Sequence, residues 1–185
     1  TIGAGQSFFL HSTAGDFVFN NGMRIAEDDK NGLFFKHANK KKRAKIEKNR
    51  VWLNLTNSDG AFRQLLVGYV TGATNDLDNL YDGTTNGGNA VIDFYSIMNT
   101  NRFMIQGRAL PFDETDEVPL GYKSAIDGLF EISIGKTDGA LANQAVYLED
   151  KTANVVHDLT KGSYSFTTAK GEFTDRFVMR YTAKS

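Results

Sequence analysis

The chain has 185 residues, of which 41% are hydrophobic and 23% charged, with a net charge of −1 and no cysteine. This apolar content excludes a disordered chain, and a chain of this length should bury one sizeable core. The lack of cysteine excludes disulfides, thiolate metal sites and cysteine nucleophiles. The balanced charge lacks the basic excess of nucleic-acid-binding domains, and no apolar run approaches the roughly 20 residues of a membrane span. We therefore expect a soluble domain that binds no nucleic acid and does not span a membrane.

The first 50 residues are predicted to contain a hairpin followed by a basic segment. Apolar runs at 6–10 and 16–20 flank a Thr-Ala-Gly turn, which indicates a hairpin within residues 1–35. About 35 residues rarely hold a core alone, so we expect this hairpin to pack on the domain that follows. Residues 36–50 carry eight Lys or Arg side chains and one acid, which predicts a solvated, mobile connector loop. A binding site for an anionic partner is the alternative.

Residues 51–185 are predicted to form the main domain from short β-strands. Apolar β-branched and aromatic residues alternate with polar ones, and Asn, Asp and Gly separate the runs. The strongest hairpin signal is the Asp59-Gly60 turn between the runs 51–57 and 62–70. Further strands are predicted at 91–97, 102–107, 120–126, 128–134, 145–150, 155–158, 163–167 and 176–181. Such spacing is typical of a sandwich or barrel, and we expect an all-β, antiparallel β-sandwich, with a jelly roll as one form of it.

Residues 75–83 concentrate oxygen donors. Asp76, Asp78 and Asp82 lie close together in the sequence, with Asp93 on the strand that follows. Ca²⁺ takes six to eight oxygen ligands, so the first three aspartates are the candidate calcium ligands, although their spacing is not that of an EF-hand. The alternative is that these side chains stabilise turns by accepting hydrogen bonds from nearby backbone.

Trp52 is the single tryptophan of the chain. Because it lies in a strongly apolar run, we expect it to be buried between layers, and a platform that stacks on sugar rings is the alternative. Its neighbours on the same strand face, Arg50 and Asn54, count against burial. A strand covered on both faces, with the N-terminal hairpin lying over it, would account for a buried Trp52.

No catalytic motif occurs in the sequence. The three histidines lie in unrelated contexts, and there is no His-Glu-x-x-His, nucleophile-elbow or phosphate-loop pattern. We therefore expect a domain that is not an enzyme. Two suitably separated carboxylates would suffice for a glycosidase, so a glycan-active enzyme is kept as the most distant alternative.

Several ordered blocks resemble one known group of proteins. The most telling are the opening Gly5-Gln6-Ser7-Phe8-Phe9-Leu10, the run from Arg50 to Asn57, the run from Leu66 to Asn75, Ile105 to Phe112, and Asp175 to Tyr181. They resemble the C-terminal region of Flavobacterium-type cell-surface and secreted proteins of the Bacteroidota that carry a type C sorting signal for the type IX secretion system. The resemblance covers nearly the whole chain, and Lys40 to Lys48 is more basic than the usual connector.

The resemblance implies a non-catalytic, β-rich module at the cell surface or in the secreted fraction. Such a module would present or dock its parent protein at the outer membrane, with secretion or attachment components there as partners. The start at Thr1, without an initiator Met, is expected of a piece of a longer protein. An adhesion module that binds a carbohydrate or calcium is the alternative function.

Overall fold

The computed structural model describes Val18 and residues 46–183. The chain divides into two units between Ala44 and Lys45, inside the predicted basic connector, and the description below concerns the second unit. The predicted N-terminal hairpin, its packing on the main domain and the connector up to residue 45 lie outside the described residues.

The described part is built almost entirely from β-strands, which confirms the all-β prediction. Two short 3₁₀ helices, Gly139–Asn143 and Leu159–Lys161, are its helical elements. The strands are β1 (Lys48–Asn57), β2 (Phe62–Val70), β3 (Gly83–Thr84), β4 (Ile92–Met98), β5 (Asn101–Arg108), β6 (Glu117–Ser124), β7 (Gly128–Asp138), β8 (Tyr147–Asp150), β9 (Val155–Asp158), β10 (Tyr164–Thr168) and β11 (Gly171–Arg180).

All the strands belong to one curled sheet. Its order is β10-β7-β1-β2-β5-β4-β6-β11-β8-β9, with β3 paired to β5 beside this path. Neighbours are antiparallel except β2 and β5, which are parallel. The two-sheet detail of the expected sandwich is therefore not confirmed, and the arrangement is a barrel-like, mixed sheet that nearly closes. Register shifts in β1, between Trp52 and Leu53, and in β11, between Phe173 and Phe177, mark bulges of the kind that let a sheet curl.

The inner face of the curled sheet holds a single hydrophobic core. In β1 the alternate residues Val51, Leu53 and Leu55 are at most 1% exposed, whereas Arg50 and Trp52 lie on the opposite, outer face. The core draws side chains from β1, β2, β4, β6, β7, β8, β10 and β11. Each fully buried aliphatic or aromatic side chain contributes roughly 1.5–3 kcal/mol, so this shared core is the main source of stability.

Some strand bounds differ from the sequence prediction for physical reasons. β6 begins at Glu117 rather than near Leu120, because residues 117–119 pair with β11 where pairing with β4 has already ended, and Pro119 lies in this stretch. There its missing N–H costs no ladder bond to β4. The predicted connector loop, residues 36–50, was wrong at its C-terminal end, since residues 48–50 belong to β1. There Arg50 pairs with Asp138 of β7.

A buried ion pair joins the two ends of the curled sheet. Asp150, at the end of β8, is completely buried and accepts a hydrogen bond from Arg176 Nη2 of β11 at 2.8 Å. The same carboxylate accepts the hydroxyl of Tyr164 in β10 at 3.0 Å, and Arg176 Nη1 donates to the Thr167 carbonyl of β10 at 3.0 Å. Because β10 pairs with β7 and not with β8 or β11, these side chains supply the cross-link that backbone hydrogen bonds do not.

The ion pair is enclosed by further partners. The backbone N–H groups of Thr152 and Ala153 donate to Asp150 Oδ1 at 2.9 and 3.1 Å. The Arg176 guanidinium carbon lies 4.7 Å from the ring centroid of Phe166 and 4.9 Å from that of Phe177. A buried charge pair stabilises a fold only when its remaining donors and acceptors are satisfied, and this pair meets that condition.

The surroundings of Asp150 shift its acidity. Burial would raise the pKa of its carboxyl, but hydrogen bonds from Arg176, Ala153 and Tyr164 outweigh burial, and the pKa lies below its usual value. The hydrogen bonds from Arg50 likewise lower the pKa of Asp138. A carboxyl whose pKa is lower in the folded state stabilises the fold above the unfolded pKa of about 3.9, and this contribution is lost as the pH falls through the folded pKa.

The free energy of unfolding should therefore change little between about pH 7 and pH 5 and fall steeply below about pH 4. In Asp150→Asn the fall should be shallower, while stability at neutral pH drops by about 3–5 kcal/mol because Arg176 is left buried without its counter-charge. Urea unfolding across this pH range measures both. Asp138→Asn removes one partner of the more exposed Arg50–Asp138 pair, so its stability should also fall less steeply in acid, with a smaller loss of stability at neutral pH. Asp76→Asn should reproduce the wild-type dependence of stability on pH. An Asp150→Asn protein with an unchanged acid profile would contradict this account.

Candidate functional site

The structure does not bring the three predicted calcium ligands together. Asp78 Oδ2 accepts the N–H of Thr74 at 2.5 Å, and Asp82 Oδ2 accepts the N–H of Asp78 at 2.7 Å. Asp82 Oδ1 accepts the N–H of Gly107 in β5 at 2.8 Å, whereas the Asp76 carboxylate has no partner in residues 46–183. Among the residues that the structure describes, no three acidic, His or Cys side chains are grouped so that they could hold a metal ion. The geometry favours the turn-stabilising alternative, and the calcium site stays a prediction.

Trp52 lies on the outer face of the sheet and is half-buried, so the prediction that it is buried between layers was wrong. The inner face of β1 is taken by the alternating aliphatic residues, which leaves the outer face to Trp52. The Arg50 guanidinium lies 4.8 Å and the Lys136 ammonium 5.3 Å from its ring centroid. Such cation–π contacts contribute about 0.5–1 kcal/mol each at exposed sites. These two cations compete with a sugar ring for the indole, which weakens the stacking-platform alternative.

An apolar groove of about 320 Å³ runs beside Trp52 on the outer face. Trp52, Leu66 and Ile105 are in register across β1, β2 and β5, so their side chains form one row. Phe62 adds an aromatic ring that is 53% exposed. The groove is also lined by Arg63, Gln64 and Met104.

A second concavity, the polar pocket, has a volume of about 380 Å³. Its lining residues are Thr84, Thr85, Gly87, Asp93, Thr100, Asn101, Arg102, Lys123 and Glu172. Asp93 of β4 is opposite Lys123 of β6, which is opposite Glu172 of β11, so opposite charges alternate across three neighbouring strands. This alternation avoids the repulsion that like charges directly opposite would cause.

Asp93 forms the buried part of the polar pocket. It is 3% exposed, and its two carboxylate oxygens lie 2.9 and 2.8 Å from the Thr85 hydroxyl, which donates to them. Arg63 Nε lies 3.5 Å from Asp93 Oδ1 but makes no hydrogen bond within the described residues. Arg63 lines the apolar groove and Asp93 lines the polar pocket, so this ion pair connects a residue of the one with a residue of the other.

Glu172 is held in place on the other side of the polar pocket. Its Oε1 accepts the Tyr95 hydroxyl at 2.7 Å and a hydrogen bond from Arg102, whose guanidinium lies 5.2 Å from the Tyr95 ring centroid. Burial, together with the hydrogen bond to Glu172, raises the pKa of Tyr95, so this phenol stays protonated and remains a donor. A Cβ at Gly121 would lie 2.4 Å from the Tyr95 ring, so only glycine at that position leaves room for this arrangement.

Comparison with known proteins shows the family. Residues 1–181 match the family described as a domain of unknown function, DUF8693. The chain belongs to DUF8693. No curated protein matches it, and no solved structure does. In the described part of this DUF8693 domain, no helix combines the length and apolarity that a membrane span requires.

Sequence reasoning missed most of the polar pocket of this DUF8693 domain. In the sequence, Asp93 is marked only as an acid near the 75–83 segment, and Lys123 is one charge inside the strand predicted at 120–126. Both are polar interruptions of apolar runs, which is the signal that was available. The neighbourhood of Glu172 was not visible, because the pairing of β11 with β6 joins residues about fifty positions apart.

Asp82→Asn should lower the free energy of unfolding by about 1–3 kcal/mol, because an amide cannot replace both carboxylate oxygens that accept backbone N–H groups. Asp76→Asn is the matched control, and its stability should stay within about 0.5 kcal/mol of the wild type. Urea unfolding in the presence of EDTA measures both. If the three carboxylates instead form a calcium site, their mutual repulsion in the metal-free protein predicts that Asp82→Asn is neutral or stabilising, which would contradict the turn-stabilising role.

Proposed function

We propose that this DUF8693 domain is a non-catalytic module of a cell-surface or secreted protein that presents or docks its parent at the outer membrane through the type IX secretion pathway. The observation that carries the non-catalytic part is the pairing of its less exposed acids with arginine. Asp150 pairs with Arg176, and Arg108 Nε lies 2.6 Å from Asp116 Oδ2. A general acid or base needs a pKa near the working pH, whereas these surroundings lower the pKa of Asp150 and raise those of both arginines.

The display part of the proposal rests on the sequence blocks that resemble exported proteins. The architecture supports it in one respect, since the second unit of the chain holds a hydrophobic core of its own, with side chains from eight strands. A unit with its own core can fold next to N-terminal parts of very different kinds. Components of the outer-membrane secretion or attachment machinery are the partners that this function requires.

A carbohydrate-binding adhesion module is the second candidate function. It is favoured by the polar pocket and the apolar groove, which are connected by the ion pair between Arg63 of the groove and Asp93 of the pocket. Protein sites for small ligands usually combine a concave surface with a few convergent polar groups. The calcium-binding form of this alternative has no geometric support among the described residues.

The display function can be tested in the cell that makes the parent protein. Replacing residues 46–183 by a Gly/Ser linker should reduce the fraction of parent protein cleaved by an external protease and leave it inside the cell. Total parent protein, measured by immunoblot, separates failed export from degradation. Lys170→Ala, which changes an exposed side chain without a partner in the described part, should be exported normally. Unchanged surface exposure of the deletion variant would contradict the display function.

A further inference from the structure

We propose that the polar pocket between β4, β5, β6 and β11 binds a neutral sugar unit of a glycan. The inference rests on the second candidate function, the carbohydrate-binding module, and assigns its site to residues outside the 75–83 segment. It is carried by the polar groups that converge on the pocket, by their charge balance and by the way in which the protein holds them in place.

The polar pocket offers several hydrogen-bonding groups that have no partner in the part of the chain that the structure describes. Within the described residues, the Lys123 ammonium, the Asn101 amide and Oε2 of Glu172 have no partner, although all three residues line the pocket. The hydroxyls of Thr84 and Thr100 are equally unpaired there. Together these groups provide both donors and acceptors, as a ligand rich in hydroxyls requires, since each hydroxyl donates one hydrogen bond and accepts others.

The charge balance of the polar pocket favours a neutral ligand. Its lining contains two cations, Arg102 and Lys123, and two carboxylates, Asp93 and Glu172. Arg102 is already paired with Glu172, and Asp93 with Arg63. A free anion would meet the two carboxylates and a free cation the two cationic groups, whereas a neutral polyol can use the donor and acceptor positions that remain on these groups.

The pocket is preorganised on the Asp93 side by a tightly packed loop. Thr85 donates its hydroxyl to Asp93 and accepts the N–H of Gly87 at 3.3 Å. Gly88 has a φ of +76°, and a Cβ there would lie 2.6 Å from the Asp93 Cβ, so only glycine allows the loop to approach this closely. On the other side, Tyr95 and Arg102 fix Glu172. Groups held in place before binding lose less conformational entropy when the ligand arrives.

The adjoining apolar groove indicates a ligand longer than one sugar. The Arg63–Asp93 ion pair connects the polar pocket with the apolar groove, in which Phe62 and Ile105 are 53% and 40% exposed. The C–H face of a neighbouring sugar ring can pack on such apolar side chains while its hydroxyls stay in water. We therefore place one unit in the polar pocket and the continuing chain over the groove.

The test is a glycan array probed with the full chain, carrying neutral oligosaccharides of glucose, mannose and xylose together with uronic-acid oligosaccharides. Wild-type protein should bind at least one neutral oligosaccharide, and titration calorimetry then measures its Kd. Lys123→Ala and Asn101→Ala change side chains without partners in the described residues and should keep the wild-type unfolding curve. Each should weaken binding about tenfold, which corresponds to about 1.4 kcal/mol. Lys170→Ala should bind as the wild type does.

Two further conditions sharpen the result. Affinity should survive EDTA and a rise in NaCl from about 50 mM to about 500 mM, because neither a metal nor a charged ligand is involved. Binding of uronic-acid oligosaccharides alone, loss of binding in EDTA, or no binding to any glycan would each overturn the proposal. Wild-type affinity in both pocket variants would overturn it as well. None of these outcomes bears on the display function, which the export experiment tests separately.

Discussion

The ion pair between Asp150 and Arg176 links the two ends of the curled sheet through side chains. β10 pairs with β7 at one end of the sheet, and β8, β9 and β11 lie at the other end, so no backbone ladder joins β10 to them. The pair makes that connection through Tyr164 and the Thr167 carbonyl. Removing two charges from water costs several kcal/mol, and the cost is offset here because the surrounding hydroxyl, backbone and aromatic groups satisfy both ions.

The same closure shapes the outer face. Arg176 lies at the bulge of β11, between the stretch that carries Glu172 and the stretch that carries the core residues Phe177 and Met179. The ion pair thereby holds β11 where Glu172 stands opposite Lys123. The polar pocket, which uses none of the core residues, still depends on the strand positions that the buried pair maintains. β11 therefore carries a structural charge, Arg176, and a candidate binding charge, Glu172, at separate positions.

The part of this fold that depends on local sequence could be predicted, and the part that depends on distant pairing could not. Alternation alone located β2 at 62–70 and β9 at 155–158 with the observed bounds. It also showed that Trp52 shares a strand face with Arg50. The prediction that Trp52 is buried was wrong because it assumed that the N-terminal hairpin covers this face. The single closed sheet depends on contacts such as Asp150 with Arg176, which are set by register and carry no local signal. The polar pocket was missed for the same reason, because Asp93, Lys123 and Glu172 meet only after three strands have paired.

Amide hydrogen exchange in Arg176→Lys tests the closure most directly. Lysine keeps the charge beside Asp150 but lacks the planar fork that reaches Asp150 and the Thr167 carbonyl together. The account predicts that amides of β10, Tyr164–Thr168, lose protection by at least about tenfold, whereas amides at the centre of the β1–β2 ladder exchange as in the wild type. Unchanged protection of β10, or an equal loss along β1, β2 and β10, would show that the ion pair does not hold the sheet closed.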